Sequence, residues 1–148
     1  MKKVDDKDFK VLDVLTKYGR YSTQQIAKKT GIPISTVHNR MKKLERMGII
    51  KGYQAVVDTE LVGSIAAYVL ISVMYHLPGG HVIDQEQLAK RVAKNELVEE
   101  VSIVTGTRDL IVRVRAASIS DLNHFVIRYL RSIQGIDKTE TAVVLKSV

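Results

Sequence analysis

Ser35, His38, Asn39, Lys42 and Arg46 recur at spacings that a helix would turn to one side, opposite an apolar stripe of Val37, Met41, Leu44 and Gly48. Hydroxyl, imidazole and amide groups come first along that side, and cations come later. The first kind both donates to and accepts from base-pair edges, while the second neutralises phosphates. That order suits a helix whose first turns enter a DNA groove and whose later residues meet the backbone. The candidate DNA-binding set is Ser35, Thr36, His38, Asn39, Arg40, Lys42, Lys43 and Arg46. Within it Ser35, His38 and Asn39 are directed at bases, and Arg40, Lys42, Lys43 and Arg46 include the phosphate contacts. The competing reading of this stretch is a helical hairpin with a solvated basic face.

Other combinations carry less chemistry. His76 and His81 flank a Pro-Gly-Gly turn, but no third metal ligand lies within reach by sequence. Glu99 and Glu100 are adjacent on a strand, so they are expected to point to opposite sides and to make no catalytic carboxylate pair. Gly79-Gly80 lacks the Lys-Ser/Thr of a phosphate loop. There are no cysteines, and no nucleophile–base motif appears. Neither a catalytic group, a metal site nor a cofactor is expected.

The elements that position the candidate helix follow from caps and periodicity. Asp5 caps a first helix, with Val4 and Phe9 at staple positions, a stripe of Phe9, Leu12 and Leu15, and Gly19 at its end. Ser22 and Gln25 form a capping box for a second helix, which Gly31 stops. Ile32 and Pro33 make the corner, and the third helix runs from about Ile34 to Met47. Tyr53 to Val57 reads as a short wing-like strand or a hinge, and Thr59 to Ser64 as a boundary. The expected organisation is a helix-turn-helix domain over 1–52, a hinge strand and linker over 53–64, and a second domain over 65–148.

In that second domain Ile65 to Tyr75 is a β-branched, nearly unbroken apolar run, a strand buried on both faces. A helix over Asp84 to Asn95 and strands over Val98 to Thr105 and Leu110 to Ala116 follow. A helix capped by Ser118 then carries the stripe Leu122, Phe125, Val126, Tyr129, Leu130 and Ile133, and a last strand spans Thr139 to Lys146. The order β-α-β-β-α-β is the ferredoxin-like pattern, so the fold class is α+β, with a winged-helix-like head. Both helices would cover one face of a four-stranded sheet. The apolar first strand leaves the other face to meet a second sheet, which implies a dimer.

Charge supports the division. The net charge is +7, with 13 Lys/Arg against 7 Asp/Glu in residues 1–60 and 10 against 9 in the remainder. The basic excess coincides with the helical head and favours a polyanion partner there, double-stranded DNA rather than a membrane surface. No apolar run is long enough to span a membrane, and Met1-Lys2-Lys3 runs at once into Val4-Asp5-Asp6, which is no signal peptide, so a cytoplasmic location is expected. Against DNA binding stands a second class of function, a small-molecule-binding regulatory subunit or enzyme whose helical head docks a protein.

Taken in order, Asp6 and Asp8 through Leu12 to Leu15, Gly19-Arg20-Tyr21-Ser22, Ile26-Ala27, Gly31, Ser35-Thr36-Val37, Arg40-Met41, Leu44-Glu45 and Gly48-Ile49-Ile50 resemble the head of the Lrp/AsnC, or feast/famine, transcriptional regulators. Val104-Thr105-Gly106 with Asp109-Leu110, Gly135-Ile136, and Thr139 with Thr141 to Leu145 extend the resemblance over essentially the whole chain. It implies dimers, often assembled further into octamers, that bind DNA and respond to amino acids or related small molecules. It also implies effector contacts at Gly106, Thr107, Arg108 and Asp109. Asp109 would accept from an ammonium group and Arg108 would donate to a carboxylate, a match for a zwitterion. Two residues depart from the family pattern: Pro33 stands where a Ser cap is common, and Arg108 where an aromatic is common. Read without the resemblance, Gly106 to Asp109 is a plain hairpin turn in which Arg108 pairs with Asp109 or a neighbouring acid.

Overall fold

The computed structural model describes residues 4–147, which divide into two compact units between Val56 and Val57. The first unit holds α1 (Asp6–Lys17), α2 (Thr23–Thr30) and α3 (Ile34–Arg46). Both expected caps form. Asp5 accepts from the amides of Lys7 and Asp8 while Asp8 accepts from the Asp5 amide, and Ser22 and Gln25 exchange the same two bonds at α2. Gly31 ends α2 at φ +70°, a left-handed conformation that a Cβ would strain. The core consists of Val11, Val14, Leu15, Ile26, Ala27, Ile32, Val37 and Leu44, with Leu12, Tyr21, Met41 and Ile50 packed at its edge.

Three local expectations are corrected here. Phe9 is 60% exposed and lies outside the stripe, because α1 is rolled so that Asp8, Val11, Val14 and Leu15 face inward. Gly19 does not take a left-handed turn; the chain leaves α1 at Tyr18, whose ring stacks on Tyr21 at 4.6 Å. Residues 51–58 form no strand. A strand needs a neighbour to accept its backbone hydrogen bonds, and among the described residues this stretch is tied instead by the Tyr53 hydroxyl donating to Glu45 at 3.0 Å.

The second unit is a four-stranded antiparallel sheet in the order β2-β3-β1-β4, made of β1 (Ile65–Val73), β2 (Val98–Ile103), β3 (Leu110–Ala116) and β4 (Ile136–Val143). Two helical segments, α4 (Gln85–Val92) and α5 (Ile119–His124), complete the ferredoxin-like order. Ala67, Val69, Ile71 and Val73 of β1 and Leu110, Val112, Val114 and Ala116 of β3 pack against Leu88, Val92, Leu122, Phe125, Leu130 and Ile133. The stripe expected of one regular helix is carried by α5, a π-helical turn over Phe125–Tyr129 and a 3-10 turn over Leu130–Ser132. The widened turn lets the Phe125 and Tyr129 rings stack at 5.7 Å. β4 begins three residues earlier than expected, because Ile136 pairs with Val73 across a register shift.

β1 is buried on one face only. Its other face carries Ala66, Tyr68, Leu70 and Ser72; Ala66 is buried, whereas Tyr68 is 41% exposed. Ile111, Arg113 and Arg115 of β3 continue that open face. Glu99 and Glu100 do not diverge as expected. A register shift between Val98 and Glu100 turns both to the open side, where Glu99 pairs with Arg113 at 3.1 Å and Arg115 at 2.5 Å, and Glu100 accepts from Ser102 at 3.1 Å.

Candidate nucleic-acid interface and effector loop

α3 starts without a side-chain cap. Pro33 occupies the position before it at φ −54° and ψ 141°, and a proline there removes no needed donor. Ile32 is instead held by its amide donating to the Thr30 hydroxyl at 3.3 Å, and burial of Val37 and Leu44 fixes the roll of the helix. That roll leaves Ser35, His38, Asn39, Lys42 and Arg46 exposed, while Thr36 is half-buried. Lys42 and Arg46 stand one turn apart on this side, the Arg46 Nε donating towards the Lys42 carbonyl at 3.4 Å.

Arg40 and Lys43 are placed elsewhere. At about 100° per residue they project roughly 60° and 120° from Val37, on the flank away from His38. There they meet the start of α1. Arg40 Nη1 donates to Asp8 Oδ1 at 3.2 Å and to Asp5 Oδ2, and Lys43 Nζ lies 2.5 Å from Asp8 Oδ2. The Asp8 side chain has no exposed surface. Burial pushes its carboxyl up, but hydrogen bonds from Lys43, from the Asp5 amide and from Arg40 outweigh this and hold it below the ordinary value. The Asp8 amide, with Arg40 beside it, likewise lowers the carboxyl of Asp5. Two of the four cations expected to include phosphate contacts are thus bound to carboxylates of their own chain. The signal that could have found this pairing was the match of Asp5-x-x-Asp8 to Arg40-x-x-Lys43, two acids and two bases at the same helical interval.

The loop from Gly106 to Asp109 is also rearranged relative to expectation. Gly106 has φ +120°, which only a glycine adopts readily, and Thr107 is exposed. Arg108 does not pair with Asp109. Its Nη2 donates to Glu140 at 2.6 Å and its Nη1 reaches the Ser72 hydroxyl at 3.4 Å. Asp109 serves the scaffold: Oδ2 accepts from the Val73 amide at 2.7 Å, and Oδ1 accepts from the Tyr75 hydroxyl at 2.6 Å. This bond, with burial and the carboxylate charge adding to it, raises the pKa of Tyr75 above its ordinary value. The Asp109 amide donates to Ile71, and the Asp109 carbonyl accepts from Val104 and Gln85. A pocket of about 520 Å³ lies beside the loop, lined by Arg108, Arg131, Asp137, Lys138 and Glu140 with Ile136 and Thr139, and Asp109 is not part of its wall.

His76 bridges to Val82, and the His81 carbonyl accepts from the Leu77 amide. Among the described residues no three metal-ligating side chains gather, and no helix is long and apolar enough to cross a membrane.

Comparison with known proteins matches both halves. A family model described as winged helix-turn-helix DNA-binding covers residues 4–51, and one described as the Lrp/AsnC ligand binding domain covers residues 66–148. The chain is 35% identical to the HTH-type transcriptional regulator FL11 of Pyrococcus furiosus, over 97% of this chain and 90% of that one. It is 34% identical to the HTH-type transcriptional regulator LysM of Sulfurisphaera tokodaii, over 99% and 98%. Among solved structures it superposes with a TM-score of 0.74 and 26% identity on a transcriptional regulator of Neisseria meningitidis in complex with L-Met, over 99% of this chain and 92% of that one.

Proposed function

The chain belongs to the Lrp/AsnC family of transcriptional regulators, and from that premise we propose that it reads specific DNA through α3 and responds to an amino acid or a related carboxylate through the loop from Gly106 to Asp109. It is a DNA-binding regulator with a ligand-binding domain, not an enzyme, as its relatives are. The observation that carries the DNA reading is the exposed side of α3, where Ser35, His38 and Asn39 precede Lys42 and Arg46. The short polar groups address base edges and the two cations address phosphates on the groove wall. Thr36, half-buried at the rim, stays in the set as a backbone contact.

In the loop, Arg108 is the effector's carboxylate partner, because it faces the pocket while Asp109 is spent on Val73 and Tyr75. Its pairing with Glu140 is exposed enough to be exchanged at small cost. The L-Met complex of the Neisseria regulator supports an amino-acid effector. Two copies of the sheet pack through their open faces around Tyr68, Leu70 and Ile111, giving a two-fold dimer able to assemble further. The protein acts in the cytoplasm, where its DNA lies.

Fluorescence anisotropy with duplexes selected from a random pool tests the DNA reading. A selected duplex should bind at least a hundredfold more tightly than a scrambled one of equal length, with affinity falling steeply as salt rises. Equal affinity for both, or none for either, overturns it.

A further inference from the structure

We propose that Asp5 and Asp8 form an anionic socket that withdraws Arg40 and Lys43 from the DNA backbone and so limits the sequence-independent affinity of the helical head for DNA. This rests on the reading of α3 as the DNA-contacting helix. Lys43 stands on the border between the buried and outward sides of α3, and Arg40 one turn before it on the same flank. Such flanking positions on a helix in the major groove face the phosphates of the groove wall. Unpaired, both long side chains would add sequence-independent attraction. The socket removes them from that role. Asp8 presents a carboxylate without exposed surface that takes both cations, and Asp5 takes Arg40 a second time.

The geometry is built for this rather than for capping alone. A cap needs one carboxylate oxygen on the first-turn amides, and Asp5 Oδ1 already supplies it to Lys7 and Asp8. The oxygens left over, Asp5 Oδ2 and both of Asp8, are the ones that meet α3; among the described residues, only Asp8 Oδ2 of these also accepts a backbone amide, that of Asp5. Arg40 and Lys43 retain 25% and 19% side-chain exposure, so they lie at the surface rim and not in the core. Charge withdrawn from the backbone lowers the affinity for every sequence alike. Contacts from Ser35, His38 and Asn39 are unaffected, so specific and non-specific affinities fall together and the head is held less tightly on random DNA.

The experiment compares full-length wild type, Asp8→Asn and Asp8→Glu, together with Arg40→Gln/Lys43→Gln in both the wild-type and Asp8→Asn backgrounds. The probe is a duplex of scrambled sequence titrated at several salt concentrations, and circular dichroism confirms the fold of each protein. Asp8→Asn should bind the scrambled duplex about tenfold more tightly at low salt, with a salt slope steeper by between one and two. Asp8→Glu should restore wild-type behaviour, and the added glutamines should cancel the gain of Asp8→Asn. Should Asp8→Asn fail to fold, the glutamine pair in the wild-type background decides alone: an unchanged slope supports the socket, and a slope shallower by about two overturns it. A folded Asp8→Asn with unchanged slope also overturns it. Lys42→Ala separates the two proposals, since a loss of about one in its slope keeps α3 on the DNA even where the socket fails.

Discussion

Tyr75 donates its hydroxyl to Asp109 Oδ1 at 2.6 Å, and through that carboxylate the end of β1 is fastened to the start of β3. The same carboxylate takes the Val73 amide, the last of β1, so the loop between Gly106 and Asp109 is held from outside the sheet ladder. Asp109→Ala is therefore expected to lower stability by about 1–2 kcal/mol in urea unfolding. Tyr75→Phe should cost less and leave the Val73 bond in place. If Asp109→Ala unfolds at the same urea concentration as wild type, the carboxylate is not the fastening described.

The ligand should follow Arg108 and not Asp109. Calorimetry against the common amino acids should detect at least one that binds, and Arg108→Ala should remove that binding while DNA affinity without effector stays near wild type. Glu140→Gln frees the guanidinium from its present partner and should tighten binding several-fold, because the ligand then displaces no carboxylate. Binding that survives Arg108→Ala would place the sensor outside this loop.

On α3 the two kinds of contact should separate. Asn39→Ala should cost about 1–3 kcal/mol on the selected duplex and relax the preferred base at one position. Arg46→Ala should weaken selected and scrambled duplexes alike. Identical footprints for wild type and both variants would remove α3 from the groove.

The open side of the sheet should bury itself against a second copy. Tyr68, Leu70 and Ile111 form its apolar centre, with Arg113 and Arg115 balanced by Glu99. A carboxylate at the centre would face its own symmetry mate across a two-fold interface, unpaired and desolvated. Leu70→Asp in the full chain should shift light-scattering mass from dimer or larger species to monomer, and an unchanged mass would place the interface elsewhere.

The order of strands and helices was legible because its signals are local: caps at Asp5, Ser22 and Ser118, and the two-residue alternation of Leu110, Val112 and Val114. What stayed hidden depended on distant partners. Phe9 has the right spacing for the core, yet Asp8 is drawn in instead by cations more than thirty residues away. Glu99 and Glu100 alternate on paper, and a bulge against β3 undoes the alternation. In the candidate site, the outward side of α3 could be read from period alone. The partners of Arg40, Lys43, Arg108 and Asp109 could not, because a charged residue's spacing does not say which opposite charge the fold brings to it.

Acid should loosen the helical head through the same carboxylates. Asp5 and Asp8 both have pKa values lowered from the ordinary 3.8 in the folded chain. Between those lowered values and 3.8 the unfolded chain holds more protons than the folded one, so stability falls as pH falls. The contribution is fully present above about pH 4 and is lost as pH drops through the folded values, when protonation takes the Asp8 charge away from Lys43 and Arg40. The difference between wild type and Asp5→Asn/Asp8→Asn isolates the pair. At pH 7 the variant should melt several degrees lower, and the gap should close as pH falls from about 4 through the lowered folded values, where the wild type loses the same charges. A gap that stays constant from pH 7 to the acid limit would mean that the two carboxylates stabilise the head by shape and hydrogen bonding without their charge.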